Sequence, residues 1–155
     1  GSTKLVCEQI LKEFVTRKKG INAICLRYFN PIGCHPSSLI GERPKKANGN
    51  LFPALLLSAR TGSQVHIYGK RNDTSDGTCI RDFVHVDDLA RGHTAALSFC
   101  GTADPQVYEV INLGAGRGVS VLEVLKSFEF VLGSPLNFKV TPPRLGDKPS
   151  SFADI

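Results

Sequence analysis

The sequence predicts an α/β fold, on three observations. Helical and strand-like hydrophobic periods alternate along the 155 residues. The run INAICLRYF (21–29) is short and mostly apolar, the profile of a strand covered on both faces. No internal repeat or linker interrupts the alternation, so helices and strands belong to one layered chain.

The elements follow in order. Leu5, Val6, Cys7, Ile10, Leu11, Phe14 and Val15 recur at helical spacing from Thr3 to about Lys19. Arg17, Lys18 and Lys19 put positive charge in the last turn, where the helix dipole favours it, and Gly20 closes the helix. The 21–29 strand then stops at Asn-Pro-Ile-Gly (30–33), a turn signal. Cys34 to Asn50 is polar and rich in Pro, Gly and Ser, and a loop this long in a compact domain is usually functional or disordered. LFPALLLSAR reads as a buried helix closed by Gly62, Val65 to Tyr68 as a short strand, and Gly69 to Thr78 as a turn-rich excursion. A further strand runs up to a helix capped by Asp87-Asp88 and reaching about Cys100. Tyr108 to Leu113 is another strand. Ser120 and Glu123 form a capping box before a helix to Leu132, and Asn137 to Thr141 is the last strand.

Composition narrows the function. Hydrophobic residues make up 41% and charged residues 21%, ordinary for a globular protein. No apolar run approaches the roughly 20 residues of a membrane span, and no signal peptide opens the chain. Five cysteines, without a C-x-x-C pair, argue against a zinc site or a disulfide frame and fit a reducing, cytoplasmic setting. Cys7, Cys25 and Cys100 fall within apolar patterns, as buried free thiols do. The net charge of +5 gathers at Arg17-Lys18-Lys19, at Arg43 with Lys45-Lys46, and at Lys70-Arg71. These clusters lack the interleaved aromatics of nucleic-acid readers, so a small anionic ligand is the preferred partner. The chain has no Met, and it is expected to be a fragment, a processed form or a cloned piece.

Two Arg–Asp pairs are the candidate anion site. In GTCIRDFVHVDDLARGH (77–93), Cys79, Arg81, Phe83 and His85 share one face of a strand, and Ile80, Asp82, Val84 and Val86 the other. Arg81 and Asp82 therefore point apart, and an Arg between Cys and Phe is half enclosed and needs an anion. Guanidinium offers phosphate a bidentate pair of hydrogen bonds that Lys cannot. Arg144 and Asp147 repeat the combination in a loop stiffened by Pro and Gly. By contrast, GAGRG (114–118) departs from the G-x-G-x-x-G dinucleotide fingerprint, because position 119 is Val, and is expected to be a structural tight turn. His35, His66, His85 and His93 have no metal-ligand spacing.

Four stretches in order carry a resemblance: LRYFNPIG (26–33), DGTCIRDFVHVDDLARGH (76–93), NLGAGRGVSVLEV (112–124) and PPRLGD (142–147). Together they resemble the UDP-glucose 4-epimerases of the extended short-chain dehydrogenase/reductase superfamily, over essentially the whole chain. The resemblance implies a C-terminal substrate-binding part of an extended Rossmann-type enzyme. Residues 1–30 would be the last helix and strand of the Rossmann half, and 31–155 the UDP-sugar-binding part, truncated at its C-terminus. It further implies NAD, bound mainly by an upstream half, a UDP-hexose substrate and a homodimer when complete. The family's Y-x-x-x-K motif sets a Tyr against the sugar hydroxyl and a Lys against the nicotinamide ribose. Lys4 matches that Lys, and the Tyr would precede Gly1, so the fragment alone is expected to be inactive.

The resemblance also implies individual roles. Lys4, Tyr28 and Phe29 would face the nicotinamide, with Tyr28, Phe29 and Asn30 turned to the substrate. Asn50 and Leu51 match the family's Asn-Leu pair beside the diphosphate, with Gly49 where an Asn is usual. His66, Ile67 and Tyr68 match the strand along the uracil. Arg81 would clamp the diphosphate, Arg144 and Asp147 would hold phosphate and ribose, and Phe83 stands where the family usually has Tyr. Ser151 matches the residue walling the sugar pocket, and its small side chain implies room for an N-acetyl group.

Overall fold

The computed structural model describes residues 1–42, 49–69, 72–103 and 106–155. The basic residues Arg43, Lys45, Lys46, Lys70 and Arg71 thus lie outside the described residues, as does part of the 34–50 loop. In chain order, α1 (Ser2–Arg17) leads into β1 (Ala23–Tyr28) and directly on to β2 (Asn30–Ile32). Next come α2 (Leu51–Thr61), β3 (Val65–Tyr68), β4 (Ile80–Arg81), β5 (Phe83–His85) and α3 (Val86–Thr102). The chain continues through β6 (Tyr108–Leu113), β7 (Val119–Ser120), α4 (Val121–Leu132), β8 (Phe138–Thr141) and β9 (Ser150–Ser151). No described helix is long and apolar enough to cross a membrane.

One layer is built on β1 and β6, parallel from Ala23↔Tyr108 to Tyr28↔Leu113, with α1 and α3 packed on β1. The expected 1–30 and 31–155 stretches are therefore interleaved in space, since β6 and α3 come from the second. β1 is not covered on both faces: its residues are half-buried, with Arg27 and Tyr28 exposed. On α1, Val15 is buried while Leu5, Val6, Ile10, Leu11 and Phe14 stay exposed. Cys7 shares that uncovered face and is exposed, contrary to its apolar pattern; Cys25 and Cys100 are half-buried, and the buried thiol is Cys79. Hydrophobic periodicity marks the face that wants a partner, not whether one is present.

The densest packing lies at the other side. Leu55 of α2, Val65 and Ile67 of β3, Leu125 of α4 and Leu136 are buried against one another. Each such side chain contributes about 2 kcal/mol on leaving water. β3 and β8 run parallel from Val65↔Phe138 to Tyr68↔Thr141. Gly62 ends α2 at φ 70°, a left-handed turn that costs a residue without Cβ little. The capping box is present in both directions: Ser120 Oγ accepts from Glu123 N–H, and Glu123 Oε2 accepts from Ser120 N–H at 2.7 Å.

Between these layers the structure departs from expectation three times. Residues 30–32 form β2 rather than a turn, parallel to β5, and the turn comes at Gly33 with φ 88°. Pro31 is tolerated because β2 is paired along one edge only. α3 opens on His85, whose Nδ1 accepts from Asp87 N–H at 3.2 Å; Asp87 and Asp88 lie in the first turn, where the dipole favours carboxylates. The strand expected before α3 is split at Asp82 into β4 and β5, and β4 is the centre of a small β7–β4–β9 sheet.

Candidate functional site

Strand pairing splits at Phe29. Phe29 N–H still donates to Leu113 O, whereas Asn30 N–H donates to Asp82 O, so β1 stays with β6 and β2 leaves with β5. Crevices where neighbouring parallel strands part are where α/β sheets bind ligands. A cavity of about 690 Å³ lies beside β2, β4 and β5, roofed by the start of α2 and the loop after β8. That volume falls within the 300–1,000 Å³ range typical of small-molecule sites.

The alternation read from the sequence holds from Cys79 to Phe83 and ends at the start of α3, where Val86 lines the cavity and His85 does not. Cys79, Arg81 and Phe83 line the cavity, whereas Ile80 packs on Gly118 and Asp82 turns to Gly114. Arg81 and Asp82 do point apart. Arg81 Nη1 donates to the carbonyls of Ile80 and Lys148, both at 2.8 Å, and its Nη2 lies 3.7 Å from Asp147 Oδ1. Arg144 approaches the same carboxylate, with Nε donating to Asp147 Oδ2 at 3.1 Å and Nη1 to Gly49 O at 3.0 Å. Its guanidinium lies over the Tyr68 ring at 4.5 Å, and Tyr68 pairs with His66 at 6.5 Å between ring centres. Phe52 meets Phe83 edge-on at 6.0 Å. Two guanidiniums on one carboxylate leave this corner with an excess positive charge.

Asn30, Asn50, Leu51, His66 and Tyr68 line this cavity together with Arg81, Phe83, Arg144 and Asp147. Ile67 does not; it is buried in the α2–α4 core. Ser151 is exposed on β9, opposite Arg81 in register, and outside the cavity lining. Lys4, Tyr28 and Phe29 also lie outside it, toward the carboxyl end of β1. There Arg27 donates to Glu8 at 2.8 and 2.5 Å, docking the early turns of α1 on the end of β1. The Arg27 hydrogen bond holds the Glu8 carboxyl below the usual carboxylate range. Lys4 precedes Glu8 by one turn, so Lys4 and Tyr28 sit at one edge. Sequence reasoning missed His35, Glu42, Phe52 and Asp87 on the cavity wall. The length of the polar 34–50 loop was the signal available for the first two.

GAGRG is a tight turn. Gly116 has φ 68°, and the N–H groups of Ala115 and Gly116 point at the Asp82 carboxylate.

The chain belongs to the NAD dependent epimerase/dehydratase family, whose model matches residues 1–114. Within it, the chain is similar to UDP-glucose 4-epimerases. It is 41% identical to that of Bifidobacterium longum and 43% identical to that of Dictyostelium discoideum, in each case over 155 residues and 99% of this chain. The chain spans about 45% of the length of these curated relatives. Among solved structures, the UDP-glucose-4-epimerase of Stenotrophomonas maltophila, with bound NAD and formylated UDP-arabinopyranose, superposes with a TM-score of 0.92 at 40% identity. The Bifidobacterium longum enzyme in complex with NAD+ and UDP superposes with a TM-score of 0.90 at 42% identity. Both matches cover 99% of this chain and 45% of the other.

Proposed function

We propose that the chain is the UDP-sugar-binding part of an NAD-dependent UDP-hexose 4-epimerase, an enzyme that interconverts UDP-glucose and UDP-galactose. The convergence of Arg81 and Arg144 on the cavity wall carries this reading. A diphosphate takes the place of Asp147 on the two guanidiniums, and the released carboxylate accepts from a ribose hydroxyl. Tyr68, already under Arg144, offers uracil a flat face beside His66, and Ile67 fixes the strand from within the core. Asn30, Asn50, Leu51 and Phe83 frame the diphosphate and the sugar.

Lys4, Tyr28 and Phe29 are assigned to the nicotinamide end. Their residue types fit: Tyr28 is an exposed phenol at the carboxyl end of a parallel strand pair, and Lys4 an exposed cation in the first turn of α1. Bound NAD supplies a reversible hydride acceptor for the sugar C4. Lys4 would orient the nicotinamide ribose through its ammonium. Because these residues span under half the length of the relatives, we assign to them substrate binding and to a longer protein the turnover.

Ser151 lies outside the cavity lining, so UDP-GlcNAc and UDP-GalNAc as further substrates rest only on its small side chain at the position the resemblance gives to the sugar pocket. Five free thiols among the described residues support a cytoplasmic setting, and a homodimer of the complete protein rests on the family resemblance. Titration calorimetry of the chain with UDP tests the central reading. Binding that Arg81→Ala weakens but does not abolish is expected, and a chain indifferent to UDP would overturn it. A full-length enzyme active on UDP-galactose but inert toward UDP-GlcNAc would refute the role of Ser151.

A further inference from the structure

Asp82 has no exposed surface and does not line the cavity. A carboxylate so enclosed is strongly disfavoured unless donors replace its water. Among the described residues those donors are backbone amides. Ala115 N–H reaches Oδ1 at 2.9 Å, and the N–H groups of Gly116 and Ala153 reach Oδ2 at 3.1 Å each. Successive amides of a Gly-rich turn make an anion-holding concavity, here filled by the protein's own carboxylate. Gly114 has no room for a side chain: a Cβ would lie 2.6 Å from Asp82 Oδ2 and 2.3 Å from the Ala153 methyl.

The clasp sits on the strand that carries Arg81. Ile80 N–H donates to Pro149 O at 2.8 Å, and Asp82 N–H donates to Ser151 O at 3.2 Å. Ala153 N–H then closes on the Asp82 carboxylate, so residues 149–153 are laced to 80–82 in three steps. The two residues just before that segment carry the groups the Arg81 guanidinium meets, Asp147 Oδ1 and Lys148 O. On the other side, Asp82 O accepts from Asn30 N–H at 3.0 Å. One buried residue thus ties the 114–118 turn, by its side chain, and the 151–153 stretch, by side chain and backbone, to the end of β4.

We infer that Asp82 is a positioning residue for Arg81: its amide-held carboxylate clamps the 149–153 segment on β4 and so aims the guanidinium into the cavity. The inference rests on the reading of Arg81 as the diphosphate clamp. It separates from a general stabilising role because only the phosphate end of a ligand should feel it.

Calorimetry with UDP and with uridine tests it, on the unmodified chain, Arg81→Ala, Asp82→Asn and the double variant. Asp82→Asn is expected to weaken UDP about tenfold while uridine changes less than about twofold. The double variant is expected to bind UDP no more weakly than Arg81→Ala alone. Equal losses for UDP and uridine, or an additive double variant, would overturn the inference. Gly114→Ala keeps the charge but displaces the carboxylate, and the same selective loss of UDP is expected. Loss of folding in both Asp82→Asn and Gly114→Ala, read by circular dichroism, also overturns it, since Asp82 would then serve the fold as a whole. An unmodified chain that binds neither ligand, or an Arg81→Ala chain that binds UDP unchanged, instead brings down the reading of Arg81 on which the inference stands.

Discussion

Arg81 and Arg144 hold the two oxygens of a single carboxylate, Asp147, across the cavity wall. The carboxylate keeps two like charges close together before any ligand arrives, and it competes with an incoming phosphate for them. Asp147→Asn is therefore expected to tighten binding of inorganic pyrophosphate several-fold, by removal of the competing charge. UDP is expected to gain less, because Asp147 is also assigned to its ribose. Weaker pyrophosphate binding in a calorimetric titration would contradict this account.

Arg144 does what a lysine cannot. Its planar group covers the Tyr68 ring at 4.5 Å while donating to both Asp147 and Gly49. Arg144→Lys is expected to cost UDP affinity about tenfold, from the loss of one charge-assisted hydrogen bond and the stacking. Lysine keeps the charge, so calorimetric titrations in rising salt should give the variant the same salt slope as the parent.

Asp76 gives the fold an acid limb. Burial pushes its carboxyl up, yet hydrogen bonds from the Ser120 and Thr78 hydroxyls and Thr78 N–H, with Lys126 nearby, bring it below the ordinary carboxylate value. A carboxyl lowered in the folded state adds stability that is fully present above its unfolded pKa of about 3.9. That contribution is lost as pH falls through the lowered folded value. Urea midpoints measured from pH 5 downward should drop for the parent and drop less for Asp76→Asn.

Ser58 is buried on α2, and its hydroxyl has no partner among the described residues. Ser58→Ala removes an unsatisfied donor without opening a cavity and is expected to stabilise by about 1 kcal/mol. A lowered melting temperature would show that the hydroxyl has a partner in solution.

The face of α1 formed by Val6, Ile10 and Phe14 is about half exposed, at 50%, 62% and 48%. An apolar stripe of this kind drives association. The chain is expected to sediment as more than a monomer, and Ile10→Glu with Phe14→Glu to disperse it. A monomeric parent would end this reading.

Local chemistry determined much of this protein before any tertiary contact formed. α1, α2, β3, β6 and α4 are each announced within a residue or two by period, closing glycine or capping box, because those signals act over one or two turns of chain. The alternation that sends Arg81 and Asp82 to opposite faces is of the same kind, and it holds from Cys79 to Phe83 before α3 ends it. The residues the resemblance named beside a diphosphate, Arg81, Arg144, Asn50 and Asp147 among them, do meet at one cavity.

Tertiary structure decided the rest. β2 hides within Asn-Pro-Ile-Gly, and β7 and β9 are two residues long, so their existence depends on partners far away in the chain rather than on any local pattern. Whether an apolar face is covered is likewise a property of its neighbours, which is why Cys7 is exposed and Cys79 buried. The role of Asp82 could not be read from its neighbours in sequence, because its donors come from residues 115, 116 and 153. Hydrogen bonds of that span exist only once the chain has folded back on itself.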